Sequence, residues 1–293
     1  MLGAGAAQLG LLAAARSRGL FVIAADRDPG APGFRYADRR AIVSVDDEPG
    51  LERLAEAERI DGVIAPGPEA AVGAAARIAA RLCLPHPISP KTGVLSSSKL
   101  RQRERLAEAG IPQTRWQVVS TADEVVGVPC LVRSPDRPGR GARALVRSSR
   151  ELRRALAMAL RASRIGLCLV EEVTESPTVT VNAFSTAGAF QPLGVADHAK
   201  ASLARAAVTA LGIGEGPSVT RIRVDPDGPK VLDVHAGLGD PDEVAACHAE
   251  LGIDLNALAV SSALGEPISE RRLRPRRAGA EYVRFPAADA QVV

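Results

Sequence analysis

The first ninety residues alternate short apolar runs with helical segments, and this alternation constrains the fold more than any other feature of the chain. The strand-like runs lie at residues 20–28, 40–45 and 61–67, and the helical segments at residues 7–19, 48–60 and 69–84. The first run, LFVIAADRD, is apolar from Leu20 to Ala25 and ends in acidic residues, as is typical of a buried parallel strand. Strands that alternate with helices predict a parallel sheet with right-handed crossovers.

A glycine-rich turn, with Gly3, Gly5 and Gly10, stands near the beginning of the chain. Such turns hold a dinucleotide after a first strand, and Asp26 lies about twenty residues further on, where an acid contacts a ribose hydroxyl. The spacing is G-x-G-x-x-x-x-G, with Gln8 at the place of the glycine that allows close packing. A dinucleotide oxidoreductase is therefore a minor alternative. Only two residues precede the turn, so we expect the first strand to be truncated.

Composition restricts the classes of function. A net charge of +3 and an aromatic content of 3% do not favour a nucleic-acid-binding surface. No apolar run approaches the roughly 18 residues of a membrane span, and the N-terminus lacks the pattern of a secretory signal. The four cysteines are far apart and form no metal-binding motif, which is typical of reduced thiols in a cytoplasmic protein.

Four later segments combine strand or helix patterns with glycine, proline or charged residues. They are KLRQRERLAEAGIP (99–112), PCLVRSPDRPGRGARALVRS (129–148), LVEEVTES (169–176) and GPSVTRIRVDPDGPKVLDVHAGLGD (216–240). The first predicts a helix with a stop, the second two strands around a glycine-containing loop, and the third a strand that ends in two acids. Turn residues at 186–188 and 225–228 predict two β-hairpins.

The order of these segments, after ADRDPGAPGFRYAD at residues 25–38, resembles the ATP-grasp superfamily, which includes carbamoyl-phosphate synthetase, biotin carboxylase and carboxylate–amine ligases. The resemblance covers nearly the whole chain and implies an α/β plus α+β fold. A Rossmann-like parallel-sheet domain is then expected at residues 1–92, with its glycine turn on the substrate side. A two-lobed ATP-grasp domain is expected at 93–293, with its smaller lobe at about 113–167 and its larger lobe at about 168–293.

The resemblance implies a set of phosphate-binding residues. Lys99, one of only four lysines in the chain, matches the first phosphate-contacting lysine of the family. Arg133 stands where the family has its second lysine, and its guanidinium could bind a phosphate through two donors. Gly139, Arg140 and Gly141 match the flexible loop whose backbone approaches phosphate.

Adenine recognition is implied for Glu171, Glu172 and Val173, which match the segment that contacts the base of the nucleotide. Backbone groups carry much of that recognition in the family, so changes of side chain disturb it little. The family often places a ribose-binding glutamate a few residues further on, and this chain has Thr178 there.

The hairpin at 216–240 resembles the metal-binding hairpin of the family but departs from it. Its second strand carries Asp233 and His235 in place of the usual E-x-N, and these two residues would hold Mg²⁺ or Mn²⁺. Its first strand carries Arg221 where an acidic ligand is usual, and Gly237 replaces a common arginine. Arg221 could stand in for the missing cation, so Arg133 and Arg221 are the candidate catalytic cations.

The function implied is that of an ATP-dependent carboxylate–amine or carboxylate–thiol ligase that acts through an acyl phosphate and releases ADP and phosphate. ATP, a divalent cation, a small carboxylate and an amine or thiol acceptor would be its ligands, with no nucleic acid and no membrane involved. A homodimer is compatible with this interpretation. The departures in the metal hairpin keep an alternative open, a non-catalytic relative that binds nucleotide or acts as a scaffold.

Overall fold

The structure, a computed structural model, describes residues 1–65, 69–136, 143–194 and 197–276. Its first helices and strands are α1 (Leu9–Ser17), β1 (Ile23–Asp26), β2 (Arg39–Ile42), α2 (Glu48–Glu58), α3 (Glu69–Arg81) and α4 (Pro90–Ser97). Strands β1 and β2 pair in parallel, with Ile23 opposite Arg39 and Asp26 opposite Ile42. This pairing confirms the predicted parallel sheet.

The beginning of the chain lies beside β1. The Gly3 amide donates a hydrogen bond to the Ala25 carbonyl at 2.7 Å, and the Leu2 amide donates to the Ile64 carbonyl at 2.8 Å. Residues 61–65 do not form a strand, although the Ile64 carbonyl accepts the hydrogen bond from Leu2. The strand predicted at residues 61–67 is therefore wrong for residues 61–65. The short backbone stretch around Leu2 therefore lies between β1 and Ile64.

Asp26 fixes the glycine-rich turn. Its carboxylate accepts hydrogen bonds from the Ala4 amide at 2.8 Å and from the Asp28 amide at 3.0 Å. The Gly33 amide donates to the Ala4 carbonyl at 2.7 Å, and a Cβ on Gly33 would lie 2.6 Å from that oxygen. Asp26 thus contacts the backbone of its own chain in place of the ribose considered for it, which disfavours the dinucleotide alternative.

A smaller antiparallel sheet follows α5 (Lys99–Glu108). It contains β3 (Trp116–Val119), β4 (Cys130–Arg133), β5 (Arg143–Val146) and β6 (Cys168–Glu172) in the order β3-β6-β4-β5. Helix α6 (Ser149–Ala162) covers one face, where apolar side chains such as Val132, Leu156 and Val170 form a separate core. Because β6 lies inside this sheet, the sheet extends to Glu172, beyond the expected lobe boundary at 167.

A larger antiparallel sheet forms the second lobe. Its strands are β7 (Thr178–Thr186), β8 (Ala189–Leu193), β9 (Gly216–Asp225) and β10 (Gly228–His235), in the order β10-β9-β7-β8. The remaining helices are α7 (His198–Ala210), α8 (Pro241–Leu251), α9 (Leu255–Ala263) and α10 (Glu270–Leu273). The two predicted hairpins are confirmed as β7–β8 and β9–β10, each joined at its predicted turn.

The main apolar core joins the N-terminal helices to the larger sheet. Side chains of α3 such as Val72 and Ile78 belong to one buried cluster with Phe190 and Val234. Helices α3 and α4 approach closely at a glycine pair, since a Cβ on Gly93 would lie 3.0 Å from the Gly73 Cα. The expected division at residue 92 therefore runs through a continuous core, and it remains a prediction.

Among the described residues, no helix has both the length and the apolar character that crossing a bilayer requires. All four cysteines carry free thiols, as the sequence predicts, and Cys130, Cys168 and Cys247 are buried.

Candidate nucleotide-binding site

Helix α5 carries three buried polar side chains on one face. Ser98 caps the helix, and Lys99, Gln102 and Arg103 follow at positions i, i+3 and i+4, which lie on the same side of a helix. All three side chains form hydrogen bonds with β10. The helix therefore brings two cations to the edge strand of the larger sheet.

Lys99 forms an ion pair with Asp233. Its Nζ donates a hydrogen bond to the Asp233 Oδ1, and the lysine side chain is buried. Burial by itself raises the pKa of Asp233, but the charge and hydrogen bond of Lys99 lower it to about 2, with Arg133 and His235 acting in the same direction. Asp233 is therefore ionised at neutral pH, and one of its oxygens is bound by an ammonium group.

Gln102 fixes the helix to the same strand through both ends of its amide. The Gln102 Nε2 donates to the Val234 carbonyl at 2.7 Å, and the Val234 amide donates to the Gln102 Oε1 at 3.0 Å. These two bonds satisfy the backbone groups of the residue between Asp233 and His235. The position of both side chains relative to α5 is thereby defined.

Two guanidinium groups surround the buried carboxylate of Glu171. Arg103 donates to its Oε1 from Nε at 2.8 Å and from Nη2 at 2.5 Å, and Arg133 donates to its Oε2 from Nη1 at 3.4 Å. Arg103 also donates to the carbonyls of Val231 at 3.0 Å and Leu232 at 2.7 Å. Glu171 at the end of β6 is thus linked to α5, β4 and β10.

Glu172 contacts a different pair of arginines. It accepts hydrogen bonds from the Arg115 backbone amide at 3.0 Å, from the Arg115 Nε at 2.7 Å and from the Arg223 Nη2 at 2.7 Å. Burial raises the pKa of Glu172, but these donors lower it to about 2. Arg223 also binds Asp225, through Nε at 2.9 Å and Nη2 at 2.5 Å.

An open cavity of about 730 Å³ adjoins the end of β6. Its wall is formed by residues 114–117, 125–130 and 170–174, which include Glu171, Glu172 and Val173. A cavity of this size can accept a planar heterocycle with part of an attached sugar. The three residues predicted to contact adenine therefore line a cavity next to the cluster of cations.

Comparison with known proteins finds no matching family model but finds related sequences and similar folds. No protein-family model matches the chain. The formate-dependent phosphoribosylglycinamide formyltransferase of Burkholderia pseudomallei (strain 668) is 29% identical over 180 residues, which are 58% of this chain and 45% of that protein. The chain thus spans about half the length of the curated relatives it matches.

Solved structures match over almost the whole chain. L-amino acid ligase from Bacillus licheniformis superimposes with a TM-score of 0.75 at 21% identity, over 92% of this chain and 75% of that one. An N5-carboxyaminoimidazole synthase from Aspergillus clavatus, in complex with ADP and 5-aminoimidazole ribonucleotide, gives a TM-score of 0.73 at 18% identity, over 94% and 78%. The chain has the ATP-grasp fold.

The resemblance noted in the sequence implies a nucleotide and a divalent cation, and the residues of the hairpin can be tested against that cation. Arg221 on β9 lies directly opposite Asp233 on β10, and its Nη2 is 3.3 Å from the Asp240 Oδ2. A Cβ on Gly237 would lie 2.7 Å from the His235 Nε2, so the imidazole rests against the glycine. In the described ranges no group of three or more His, Cys, Asp or Glu side chains is placed to hold a metal ion.

This donor set does not fit Mg²⁺, which prefers several oxygen ligands. The one carboxylate on β10 is already bound by Lys99 and faces a guanidinium on the neighbouring strand. Asp233 and His235 as metal ligands stay a prediction.

The ATP-grasp motifs identified in the sequence meet in space only in part. Lys99, Arg133, Glu171 and Asp233 form one cluster, and Arg221 borders it. Gly139, Arg140 and Gly141, predicted to contact phosphate, fall outside the described residues.

The sequence analysis did not select Gln102, Arg103, Arg115 and Arg223 as functional residues. Arg103 binds Glu171, Arg115 and Arg223 bind Glu172, and Gln102 binds the backbone between Asp233 and His235. For Gln102 and Arg103 a usable signal exists, since they lie three and four residues after Lys99 in a capped helix. Arg115 and Arg223 carry no such local signal.

Proposed function

We propose that the chain is an ATP-dependent ligase that joins a small carboxylate to an amine or thiol through an acyl phosphate. The observation that carries this proposal is the convergence of Lys99, Arg133 and Arg221 where the smaller sheet meets the larger one. Each cation comes from a different secondary-structure element. Such an arrangement supports binding of a polyphosphate, since phosphoryl transfer depends on positioning and on neutralising phosphate charge.

In this proposal, adenine enters the cavity beside Glu171, Glu172 and Val173, and the phosphates extend toward Lys99 and Arg133. The side chain of Glu171 orients Arg133 through the 3.4 Å contact, while the backbone of residues 171–173 contacts the adenine. Lys99 exchanges part of its contact with Asp233 for a phosphate oxygen. The loop with Gly139, Arg140 and Gly141 contributes backbone amides to the phosphates.

The reaction then has two steps. An oxygen of the substrate carboxylate attacks the γ-phosphorus of ATP, and the bond to the β–γ bridging oxygen breaks, so that ADP leaves with the electron pair. The acceptor nitrogen or sulfur next attacks the acyl carbon, phosphate leaves, and the acceptor loses a proton. In both steps the cations of the chain offset the negative charge that gathers on the phosphoryl oxygens.

Trapping of the acyl phosphate tests this activity directly. The protein is incubated with ATP, hydroxylamine and single carboxylates, and both ADP and hydroxamate are measured. Formate and L-amino acids are the first carboxylates to try, since two of the matched proteins are named for them. Equal amounts of ADP and hydroxamate support the proposal, and their absence with every carboxylate contradicts it.

Two lysine variants provide the matched control. Lys99→Met removes a buried cation of the cluster, whereas Lys91→Met changes an exposed lysine of the neighbouring helix α4. We expect the first to lower hydroxamate formation by about tenfold or more and the second to leave it unchanged. Circular dichroism checks that both variants are folded.

The second candidate function is a nucleotide-binding relative that does not transfer phosphate. Arg221 favours it, because a guanidinium stands opposite Asp233 where the resemblance implies an acidic metal ligand. ADP binding by calorimetry without ADP release from ATP would identify this second function.

The proposed function also includes a cellular location and an oligomeric state. We place the protein in the cytoplasm, as a homodimer that acts on small molecules. Sedimentation equilibrium of the full chain gives the assembly mass, and a monomer at all concentrations would contradict the homodimer.

A further inference from the structure

We infer that the guanidinium of Arg221 takes the place of a divalent cation at the nucleotide phosphates, so that this chain binds ATP or ADP without requiring a metal ion. The inference rests on the proposed function, since it concerns how the same site holds a nucleotide. It also assigns a role to a side chain that the fold itself does not explain.

The register of the larger sheet places Arg221 beside Asp233, the candidate metal ligand on β10. Asp233 and Arg221 are partners across the β10–β9 ladder, after an irregularity between Val231 and Asp233. Partners in an antiparallel pair project their side chains to the same face, with Cβ atoms about 5 Å apart. Arg221 and Asp233 therefore share the face on which a metal ion would have two ligands.

The charges around Asp233 favour an anion over a second cation. Lys99 binds its carboxylate, and Arg133 belongs to the same cluster through its 3.4 Å contact with Glu171. A metal ion beside Asp233 would face repulsion from these two cations and from Arg221. Phosphate oxygens at the same place would be attracted by all three.

Arg221 is free to move onto a ligand. Its side chain is 46% exposed, and its contact with Asp240 is a single 3.3 Å hydrogen bond to a side chain that is 71% exposed. Exposed ion pairs of this kind contribute little to stability, so exchanging Asp240 for a phosphate costs little. A guanidinium also matches phosphate better than an ammonium group does, because it offers paired donors in one plane.

The experiment is titration calorimetry of ADP into the full chain, once with excess EDTA and once with MgCl₂. For the wild-type protein we expect dissociation constants that agree within about twofold in the two buffers, because the chain supplies its own cation. Arg221→Glu removes this cation and places a second carboxylate opposite Asp233. We expect it to weaken binding by about tenfold or more in EDTA and to recover part of the affinity with Mg²⁺.

Arg53→Glu is the matched control, since it makes the same charge change at an exposed position of α2 and should leave both constants unchanged. Arg221 is itself exposed, so its variants should fold, and thermal melts check this. A wild-type affinity that falls by about tenfold or more in EDTA overturns the inference and leaves the proposed function standing. Equal EDTA affinities of wild type and Arg221→Glu also overturn it, and absence of ADP binding in both buffers overturns the proposed function as well.

Discussion

Arg103 donates to the Glu171 Oε1 through both Nε and Nη2, at 2.8 and 2.5 Å, and both side chains are buried. The residues are 68 positions apart in the chain. Their contact connects α5 to the smaller sheet, while the bonds of the same guanidinium to β10 connect α5 to the larger sheet. One side chain thereby fixes the relative position of three elements.

Removal of Arg103 should therefore be costly. Arg103→Met leaves the Glu171 carboxylate buried with only the 3.4 Å contact to Arg133, and we expect a loss of about 3–5 kcal/mol in the free energy of unfolding. Urea denaturation measures it. Arg101→Met, two residues earlier on the exposed side of α5, should change that free energy by about 0.5 kcal/mol or less. Equal losses in both variants would contradict the role given to Arg103.

Two arginines that bind the same carboxylate should differ in their effect on stability. The side chain of Arg115 is 91% exposed and that of Arg223 only 4%, although both donate to Glu172. Arg115→Met should cost little because its ion pair is exposed to solvent, whereas Arg223→Met should cost about 3–5 kcal/mol because it also leaves Asp225 without its main partner. Urea unfolding of both variants tests the difference, and a larger loss for Arg115→Met would refute this account.

Glu172 should contribute to acid sensitivity. Its pKa falls from 4.5 to about 2 on folding, so its stabilising contribution is present above about pH 4.5 and is lost as the pH falls toward 2. Asp233, whose pKa is also lowered to about 2, acts in the same range. We expect Glu172→Gln to be less stable at neutral pH but to lose less stability on acidification.

The measurement for this pH effect is the free energy of unfolding in urea at a series of pH values. Glu108→Gln, at an exposed position late in α5, serves as the control and should keep the wild-type pH dependence. If Glu172→Gln keeps the pH dependence of the wild-type protein, the Glu172 carboxylate does not contribute to the loss of stability in acid.

Gly33 should be sensitive to a single methyl group. Its Cβ would lie 2.6 Å from the backbone oxygen of Ala4, whereas a Cβ on Gly214 would meet nothing closer than 3.9 Å. We expect Gly33→Ala to destabilise the protein by about 1–3 kcal/mol and Gly214→Ala to be neutral or slightly stabilising. Thermal melts of the two variants provide the comparison, and equal melting temperatures would contradict it.

Local patterns in the sequence were sufficient for much of the fold. The turn residues between β9 and β10 and the capped helix that begins at Lys99 are short-range features, and the structure has both where they were predicted. The place of β6 was not predictable in this way. It pairs with β3 and β4, which lie far away in the chain, and the spacing of residues within β6 does not indicate its partners.

In the candidate site, too, the residues could be predicted from the sequence but their long-range contacts could not. Lys99, Arg133, Glu171 and Asp233 could be chosen because they stand in motifs, but the contacts between them depend on how the sheets pack. Arg223 lies in a predicted strand among many other arginines, and only the structure shows that it binds Glu172. With so many arginines in the chain, residue type alone does not separate a buried ion pair from a solvated one.

Glu172 is the last residue of β6, and Arg223 belongs to β9 of the other sheet. The carboxylate therefore sits where the chain passes from one sheet to the next. Rotation of the smaller sheet against the larger one would have to break this ion pair or carry it along, so the contact restrains the relative movement of the two sheets.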